Sequence, residues 1–216
     1  HLPDEAFQDR KSLISVACPR SLTSIGEGAF LDCSSLVNIV LPAGLTSIDD
    51  SAFCGCSSLG SMTLPDSLAS IGSSAFEICS SLTSIALPAG LTSIGNFAFL
   101  GCRSLTSIAF PAGLTAIDSS AFRECASLTS VLLPAGLTSI GECAFWGCPS
   151  LVSVTFPASL TSIGEEAFSR CPSLASVTVP THLHRQLRLL LLLRPRHRHR
   201  ANLRRDRQRR LPTRHH

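Results

Sequence analysis

The chain has almost none of the side chains that usually carry out proton transfer. Its 216 residues include no tyrosine, Lys11 is the only lysine, and no histidine lies between His1 and His182. No nucleophile stands beside a base in the sequence, and no glycine-rich phosphate loop occurs. We therefore expect a protein that is not an enzyme, with no catalytic residue and no cofactor.

Long apolar runs are missing as well. The longest, residues 189–193, is much shorter than the roughly 20 residues that a membrane-spanning helix needs, so we expect no membrane span. Charged residues make up only 15% of the chain against 44% hydrophobic residues, which favours a buried core over disorder. The chain opens inside a repeat without an initiator Met or a signal-like stretch, which is typical of a fragment.

Charge divides the sequence into two segments. Residues 1–180 hold 6 Lys or Arg against 14 Asp or Glu, whereas residues 181–216 hold 12 Arg against Asp206 alone. The first segment is therefore acidic and the second strongly basic. We interpret residues 1–180 as a repeat domain and residues 181–216 as an Arg- and Leu-rich tail.

Phenylalanine reveals an internal repeat of constant length. Eight phenylalanines are spaced 23 residues apart: Phe7, Phe30, Phe53, Phe76, Phe99, Phe122, Phe145 and Phe168. A proline column from Pro19 to Pro180 and a cysteine column from Cys33 to Cys171 keep the same step. A period without insertions predicts a solenoid of about eight 23-residue coils, in which each coil covers the apolar side of the next.

Each unit has the apolar pattern of short strands joined by turns. In the unit that begins at Cys33, Ile39 and Leu41 alternate with outward-facing Asn38 and Val40, and Pro42 ends the strand. A second apolar pair returns on the opposite side, and an Ala-Phe step follows as a tight turn. The predicted fold class is an α/β-type solenoid of short parallel strands and turns with little helix, and with these apolar columns buried.

The cysteine column could indicate metal binding or disulfides, but its spacing argues against both. Zinc sites use close pairs such as C-x-x-C, whereas here one cysteine falls in each coil. Coils about 4.8 Å apart do not present the geometry of a disulfide. We predict buried free thiols and no metal site, and expect Cys18, Cys54 and Cys143, which lie outside the column, to be the more reactive thiols.

The repeat unit resembles that of the BspA-type leucine-rich repeats. The hallmark string appears as LTSIGNFAFLGCRSLTSI in residues 91–108, and about eight such units cover residues 1–180, although Arg10 replaces the column cysteine in the first. The resemblance implies a solenoid and a recognition or adhesion protein, secreted or at the cell surface, that binds a protein or cell-surface ligand. It specifies no ligand, because the shared columns are the buried ones.

Two surfaces are candidates for binding. The residues that alternate outward on the longer strand are small and neutral, without the Trp, Tyr or Arg typical of binding hot spots. Residues around the Ala-Phe turn are more varied and mostly acidic. We place a candidate partner-binding site near the only tryptophan, at Trp146, Glu142, Arg123, Glu124, Glu165 and Arg170. The alternative is that these charges form the solvated rim that keeps a solenoid soluble.

A structural or water-ordering role is the alternative function. Thr23, Thr46 and Thr92 begin a column of hydroxyl groups that runs beside a serine column, and regular hydroxyl arrays can order water or ice. Against this role, neighbouring side chains on a strand point to opposite faces, so only one of the two columns faces outward.

The tail begins abruptly after Pro180, in the middle of a repeat. Its Arg content would suit nucleic acid or an anionic membrane, but a shifted reading frame from Thr181 permits codons for L-T-S-I-G-S-S-A-F, the repeat string itself. We therefore interpret residues 181–216 as a frameshifted repeat, disordered and without a specific nucleic-acid partner. The preceding solenoid would then expose an apolar coil end near residues 174–179, and we expect self-association through it.

Overall fold

The computed structural model describes residues 1–179, which form a solenoid of about seven turns with parallel strands. Each coil of the solenoid contributes to three walls. They are a wide wall of three-residue strands, a narrow wall of two-residue strands, and an Ala-Phe wall formed by the tight turn around each Ala-Phe step. The predicted frameshift and disorder of residues 181–216 fall outside the described residues and stay predictions.

The wide wall contains eight strands, each paired in parallel with strands one coil away. Their register is one repeat throughout, as in Ser15 opposite Asn38 and Ser130 opposite Ser153. The strands are β1 (Ser15–Ala17), β3 (Asn38–Val40), β5 (Ser61–Thr63), β7 (Ser84–Ala86), β9 (Ser107–Ala109), β11 (Ser130–Leu132), β13 (Ser153–Thr155) and β15 (Ser176–Thr178).

The narrow wall contains seven strands with the same one-repeat register. Each ends in an inward-facing isoleucine, and these isoleucines are buried in all but the last strand. The strands are β2 (Ser24–Ile25), β4 (Ser47–Ile48), β6 (Ser70–Ile71), β8 (Ser93–Ile94), β10 (Ala116–Ile117), β12 (Ser139–Ile140) and β14 (Ser162–Ile163).

The sequence correctly predicts most of the buried columns. Ile39 is 5% exposed between exposed Asn38 and Val40, and Leu36 and Ile48 are buried. Leu41 is only partly buried, contrary to the prediction, because it follows the last strand residue and lies beside the start of the Pro42 turn. Its equivalents Leu64 and Leu133 are buried, so this column varies from coil to coil.

The α/β label and the count of eight coils are not confirmed. Residues 1–179 contain no helical residue. Each Ala-Phe turn has a left-handed residue on either side, such as Gly28 and Asp32 around Phe30, with φ near 57°. Two such residues four positions apart prevent an α-helix. In the described part, no narrow strand follows β15, so the turns number about seven.

Aromatic stacking forms the centre of the core. The eight phenylalanines of the repeat stack in one column, with ring centroids 5.2 to 5.4 Å apart and interplanar angles of 4° to 9°. The six from Phe30 to Phe145 are fully buried. Phe110 and Phe156 add edge-on contacts to Phe122 and Phe168. Offset stacking of this kind adds to the free energy gained from apolar burial alone.

The cysteine column closes the core beside the phenylalanines. Each of the seven column thiols, from Cys33 to Cys171 at 23-residue spacing, donates to the carbonyl of the phenylalanine 26 residues earlier, at 3.0 to 3.3 Å. All ten cysteines of the chain are free thiols, as predicted. Each column thiol therefore joins two coils by a weak hydrogen bond rather than a covalent one.

Strand pairing is interrupted at two places. On the wide wall β3 does not pair with β5, and on the narrow wall β6 does not pair with β8. The Ala-Phe wall stays continuous there, since the Phe53 amide donates to the Ala75 carbonyl and the Phe76 amide to the Ala98 carbonyl, both at 2.8 Å. The coils around residues 38–94 are thus joined most regularly along the Ala-Phe wall.

We expect Phe99→Ala to lower the free energy of unfolding by about 3–5 kcal/mol, because it leaves a cavity in the middle of the aromatic column. Glu142→Ala, on the exposed rim, should change it by less than about 0.5 kcal/mol. Urea denaturation of the full chain, followed by circular dichroism, measures both. Equal losses for the two variants would contradict the assignment of faces.

Candidate functional site

The exposed face of the wide wall is small and uncharged, as the sequence predicts. The outward residues are mainly Ser, Ala and Thr, with Val40 and Leu132 as larger exceptions that are 58% and 78% exposed. A shallow groove of about 400 Å³ lies where β3 and β5 fail to pair, between Asn38 and Thr63. The wall offers apolar contact but no aromatic or guanidinium group to anchor a partner.

The Ala-Phe wall carries the tryptophan, and the structure places it between two arginines. The guanidinium of Arg123, from the preceding coil, lies 4.3 Å from the Trp146 ring centroid, and that of Arg170, from the following coil, lies 4.6 Å away. Trp146 is partly buried rather than freely exposed. The pairs are cation–π contacts. The constant repeat length brings them together, because residues 23 or 24 apart are neighbours along the solenoid.

Glu124 joins this group through two arginines. Its carboxylate lies 3.9 Å from Arg103 and 3.8 Å from Arg123, and all three side chains are at least one-third exposed. Pairs of this length at a solvated surface contribute little to stability. The structure therefore brings Arg123, Glu124, Trp146 and Arg170 together, as the candidate site requires, but the ion pairs alone do not explain why they are there.

Glu142 and Glu165 stand apart from the tryptophan group. Both are exposed, and their main-chain carbonyls accept hydrogen bonds from the Ser120 and Cys143 amides of the preceding coils. In the described residues neither carboxylate forms an ion pair within 4 Å. They belong to the acidic rim of the same wall, before the Ala-Phe step rather than after it.

Other acidic residues of the wall hold the main chain. A shallow groove of about 440 Å³ is lined by Asp4, Glu27 and Asp50 among others. However, the Asp4 carboxylate accepts the Glu27 amide at 3.0 Å, and the Asp50 carboxylate accepts the Ser73 amide at 2.7 Å. These carboxylates tie neighbouring coils together. Within residues 1–179, no group of three or more His, Cys, Asp and Glu side chains could hold a metal ion.

Two exposed apolar residues of the Ala-Phe wall were missed by the sequence analysis. Ile78 is 50% exposed and Phe97 is 41% exposed, in neighbouring coils. Both have left-handed backbone, with φ of 58° and 59°. The sequence did contain a signal for them. The positions one repeat before and after Ile78 hold Gly55 and Gly101, and the positions one repeat before and after Phe97 hold serines.

The thiols outside the column are not activated. Burial raises the pKa of Cys54 to about 11, with the negative charges of Glu77 and Asp32 adding to the shift. Burial also raises the pKa of Cys18 and of Cys143. These three are more accessible than most column thiols, but the raised pKa keeps them protonated at neutral pH.

The threonine column acts as a tie between coils. The hydroxyls of Thr46, Thr115, Thr138 and Thr161 donate to the main-chain carbonyl of the residue one repeat earlier, at 2.9 to 3.1 Å. Ala69 interrupts the column. Since these hydroxyl protons are already used within the protein, the array offers ordered water only its acceptor lone pairs.

Sequence comparison agrees with the repeat geometry. The family model described as BspA type leucine-rich repeat region matches residues 1–129 and 92–186, with six copies. The chain belongs to this family. The resemblance read from the sequence is thereby confirmed. A search of curated proteins gave no match.

Several solved bacterial leucine-rich repeat structures are similar to this solenoid. A protein from T. pallidum shares 31% identity with a TM-score of 0.64, covering 87% of this chain and 74% of its own. Proteins from Bacteroides ovatus and Eubacterium ventriosum share 28% and 27% identity, with TM-scores of 0.67 and 0.70. Those matches cover 82% and 77% of this chain but only 52% and 44% of the others. The chain thus spans about half the length of these two relatives.

No helix in the described part of the chain is long and apolar enough to span a bilayer. The family and its bacterial relatives are leucine-rich repeat scaffolds, which suggests a role in binding rather than catalysis.

We expect Cys54 to be alkylated slowly near neutral pH. A pKa of about 11 instead of 9.0 leaves about a hundredfold less thiolate, and the thiolate is the reactive species. Iodoacetamide labelling read by mass spectrometry measures the rate. The rate in the folded chain should still be rising as the pH approaches 11, whereas the urea-denatured chain should level off near 9. Faster labelling in the folded chain would contradict the burial of this thiol.

Proposed function

We propose that this protein is a non-enzymatic recognition or adhesion scaffold that binds a protein or cell-surface partner through its Ala-Phe wall. The observation that carries the proposal is the group of Trp146 between Arg123 and Arg170. Tryptophan and arginine are the residues most enriched in binding hot spots. Stacking holds them in place before a partner arrives, which lowers the conformational entropy lost on binding.

The remaining candidate residues act around this anchor. Glu124 lies within ion-pair distance of Arg123, and Glu142 and Glu165 supply negative charge on the other side of the Ala-Phe step. Charges at the rim of an interface mainly affect the association rate and the choice of partner. The Arg–Trp group therefore supplies affinity, while the acidic rim contributes to the association rate and to the choice of partner.

A structural or water-ordering role has less support. The threonine hydroxyls already donate to neighbouring coils, and Ala69 breaks their column. A purely structural solenoid would also not require a tryptophan and two arginines stacked at its surface. The binding role accounts for the stacked tryptophan and arginines.

Trp146→Ala should weaken binding of surface partners by about 30-fold or more, the effect of losing a hot spot of about 2 kcal/mol. A random 16-residue peptide display library, selected on the full chain, provides the test ligands. Their affinities for the wild type and the variant are then measured by calorimetry, after melting curves show that the variant is folded.

Leu132→Ala serves as the matched control on the wide wall, because Leu132 is 78% exposed and far from the Ala-Phe step in the repeat unit. It should leave these affinities unchanged. If the selected ligands lost affinity with Leu132→Ala and kept it with Trp146→Ala, the wide wall would be the binding surface and the proposal would be wrong.

Self-association through the end of the solenoid is a second proposed interaction. Val177 of β15 is 44% exposed, whereas its equivalents Val154 and Val131 are 2% and 6% exposed. An apolar side chain of a coil end gains free energy when another coil covers it. A second copy of the chain would provide such a surface.

We expect the apparent mass of the full chain to rise with concentration in sedimentation equilibrium. Val177→Lys should reduce this rise, because a lysine at the covered position would have to lose its hydration. Val152→Lys is a suitable control, because Val152 lies in the preceding coil and is 50% exposed. A mass that stays monomeric at every soluble concentration would exclude this interaction.

A further inference from the structure

Ile78 and Phe97 occupy two positions at which the local backbone favours glycine. Both have positive φ, where a side chain meets the backbone unfavourably, and a β-branched residue such as Ile78 is rare there. In neighbouring coils the Ile78 column carries Gly55 and Gly101, and the Phe97 column carries serines. Large apolar residues are therefore present at these two sites in spite of the backbone conformation.

The core does not require these side chains. Ile78 is 50% exposed and Phe97 is 41% exposed, while Phe76 and Phe99 beside them in the sequence are fully buried. A residue that is unfavourable for the backbone and half in water contributes little to folding. Strained, exposed residues of this kind are more typical of functional sites.

The main chain joins the two residues into one patch with Leu100. The Ile78 amide donates to the Leu100 carbonyl at 2.7 Å, and the Leu100 amide donates to the Phe97 carbonyl at 2.9 Å. Leu100 is partly buried and precedes Gly101, whose lack of a side chain leaves the surface beside Ile78 open. We call Ile78, Phe97 and Leu100 the apolar patch.

Positive charge lies next to the apolar patch. Residues 1–179 contain six cationic side chains; Arg10, Lys11 and Arg20 lie at the start of the chain. The other three, Arg103, Arg123 and Arg170, lie in the patch's own coil and in coils that follow it, and the Gly101 amide next to Leu100 donates to the Arg123 carbonyl at 2.8 Å.

Only part of this positive charge is neutralised. Among the described residues, Glu124 is the one carboxylate within 4 Å of these arginines, and it serves both Arg103 and Arg123. The Arg103 side chain is 70% exposed. Glu77 lies beside Ile78, one repeat before Leu100, on the opposite side of the apolar patch from Arg123. Negative charge on a ligand therefore suits the Arg103 side of the apolar patch and not the Glu77 side.

We propose that the apolar patch and its arginines bind an extended peptide segment that combines an aromatic or leucine side chain with a nearby carboxylate. The apolar side chain packs on Ile78 and Phe97, and the carboxylate lies beside the exposed guanidinium of Arg103, since Glu124 already lies between Arg103 and Arg123. This inference rests on the proposed function, since it assigns a ligand class to the same wall and extends the binding surface beyond Trp146.

The peptide library selected on the full chain tests the ligand class directly. We expect the retained peptides to share an apolar residue close to Asp or Glu. The basic tail of the chain also attracts acidic peptides, so each peptide is measured against variants that keep the tail. The double variant Ile78→Gly and Phe97→Gly should weaken these peptides by about tenfold or more, and Arg103→Gln should weaken them in a salt-dependent way.

The glycine variants separate binding from folding. Since glycine suits a positive φ, the double variant should melt at the same temperature as the wild type or higher. Ser74→Gly is the matched control, because Ser74 has the same φ range in the preceding coil of the Phe97 column. It should leave the peptide affinity unchanged.

Each outcome is decisive. Peptides that are basic or purely polar, or an affinity unaffected by the double glycine variant, would overturn this inference. If such peptides still lost affinity with Trp146→Ala, the proposed function would stand and only the inference about the apolar patch would fail. If no selected peptide depended on either Trp146 or the apolar patch, both the proposed function and this inference would be wrong.

Discussion

Main-chain hydrogen bonds between neighbouring coils are the constraint on which the rest of this structure depends. An amide such as that of Phe53 pairs with a carbonyl of the next coil, and the strands pair in a one-repeat register. This pairing is kept only if every coil has the same length. The constant length in turn places identical residues above one another, so that Phe stacks on Phe and each cysteine of the column donates to the carbonyl of a phenylalanine in the preceding coil.

Such a core leaves little freedom for function except at the surface. No buried side-chain nitrogen or oxygen within residues 1–179 lacks a hydrogen-bond partner, and the buried residues are almost all apolar. Chemical variety is confined to positions that point away from the stack. On the wide wall these positions are small and neutral. On the Ala-Phe wall they include Trp146, the arginines and the apolar patch, and this difference is the reason that we propose recognition on that wall.

The sequence predicted the core well because the core is periodic. The Phe column, the buried Ile39 and the free Cys56 thiol follow from spacing alone. Properties that depend on three-dimensional neighbours were harder to predict. Trp146 looks exposed in the sequence, but the arginines that cover it come from two other coils. The positive φ of Ile78 and Phe97 has no sequence signature of its own, since serine, glutamate and glycine share these columns. Leu41 follows the strand alternation yet lies where the chain already leaves the wall.

The interrupted strand pairing has a mechanical consequence. Between β3 and β5 the wide wall has lost its ladder, and between β6 and β8 the narrow wall has lost its own, while the Ala-Phe wall is bonded through both coils. At each interruption the other strand ladder is kept, since β4 pairs with β6 and β5 pairs with β7. The two gaps therefore fall at successive junctions between coils, and only the Ala-Phe wall is bonded across both. The apolar patch lies on that wall, where main-chain hydrogen bonds such as that from the Ile78 amide to the Leu100 carbonyl fix the spacing between its coils.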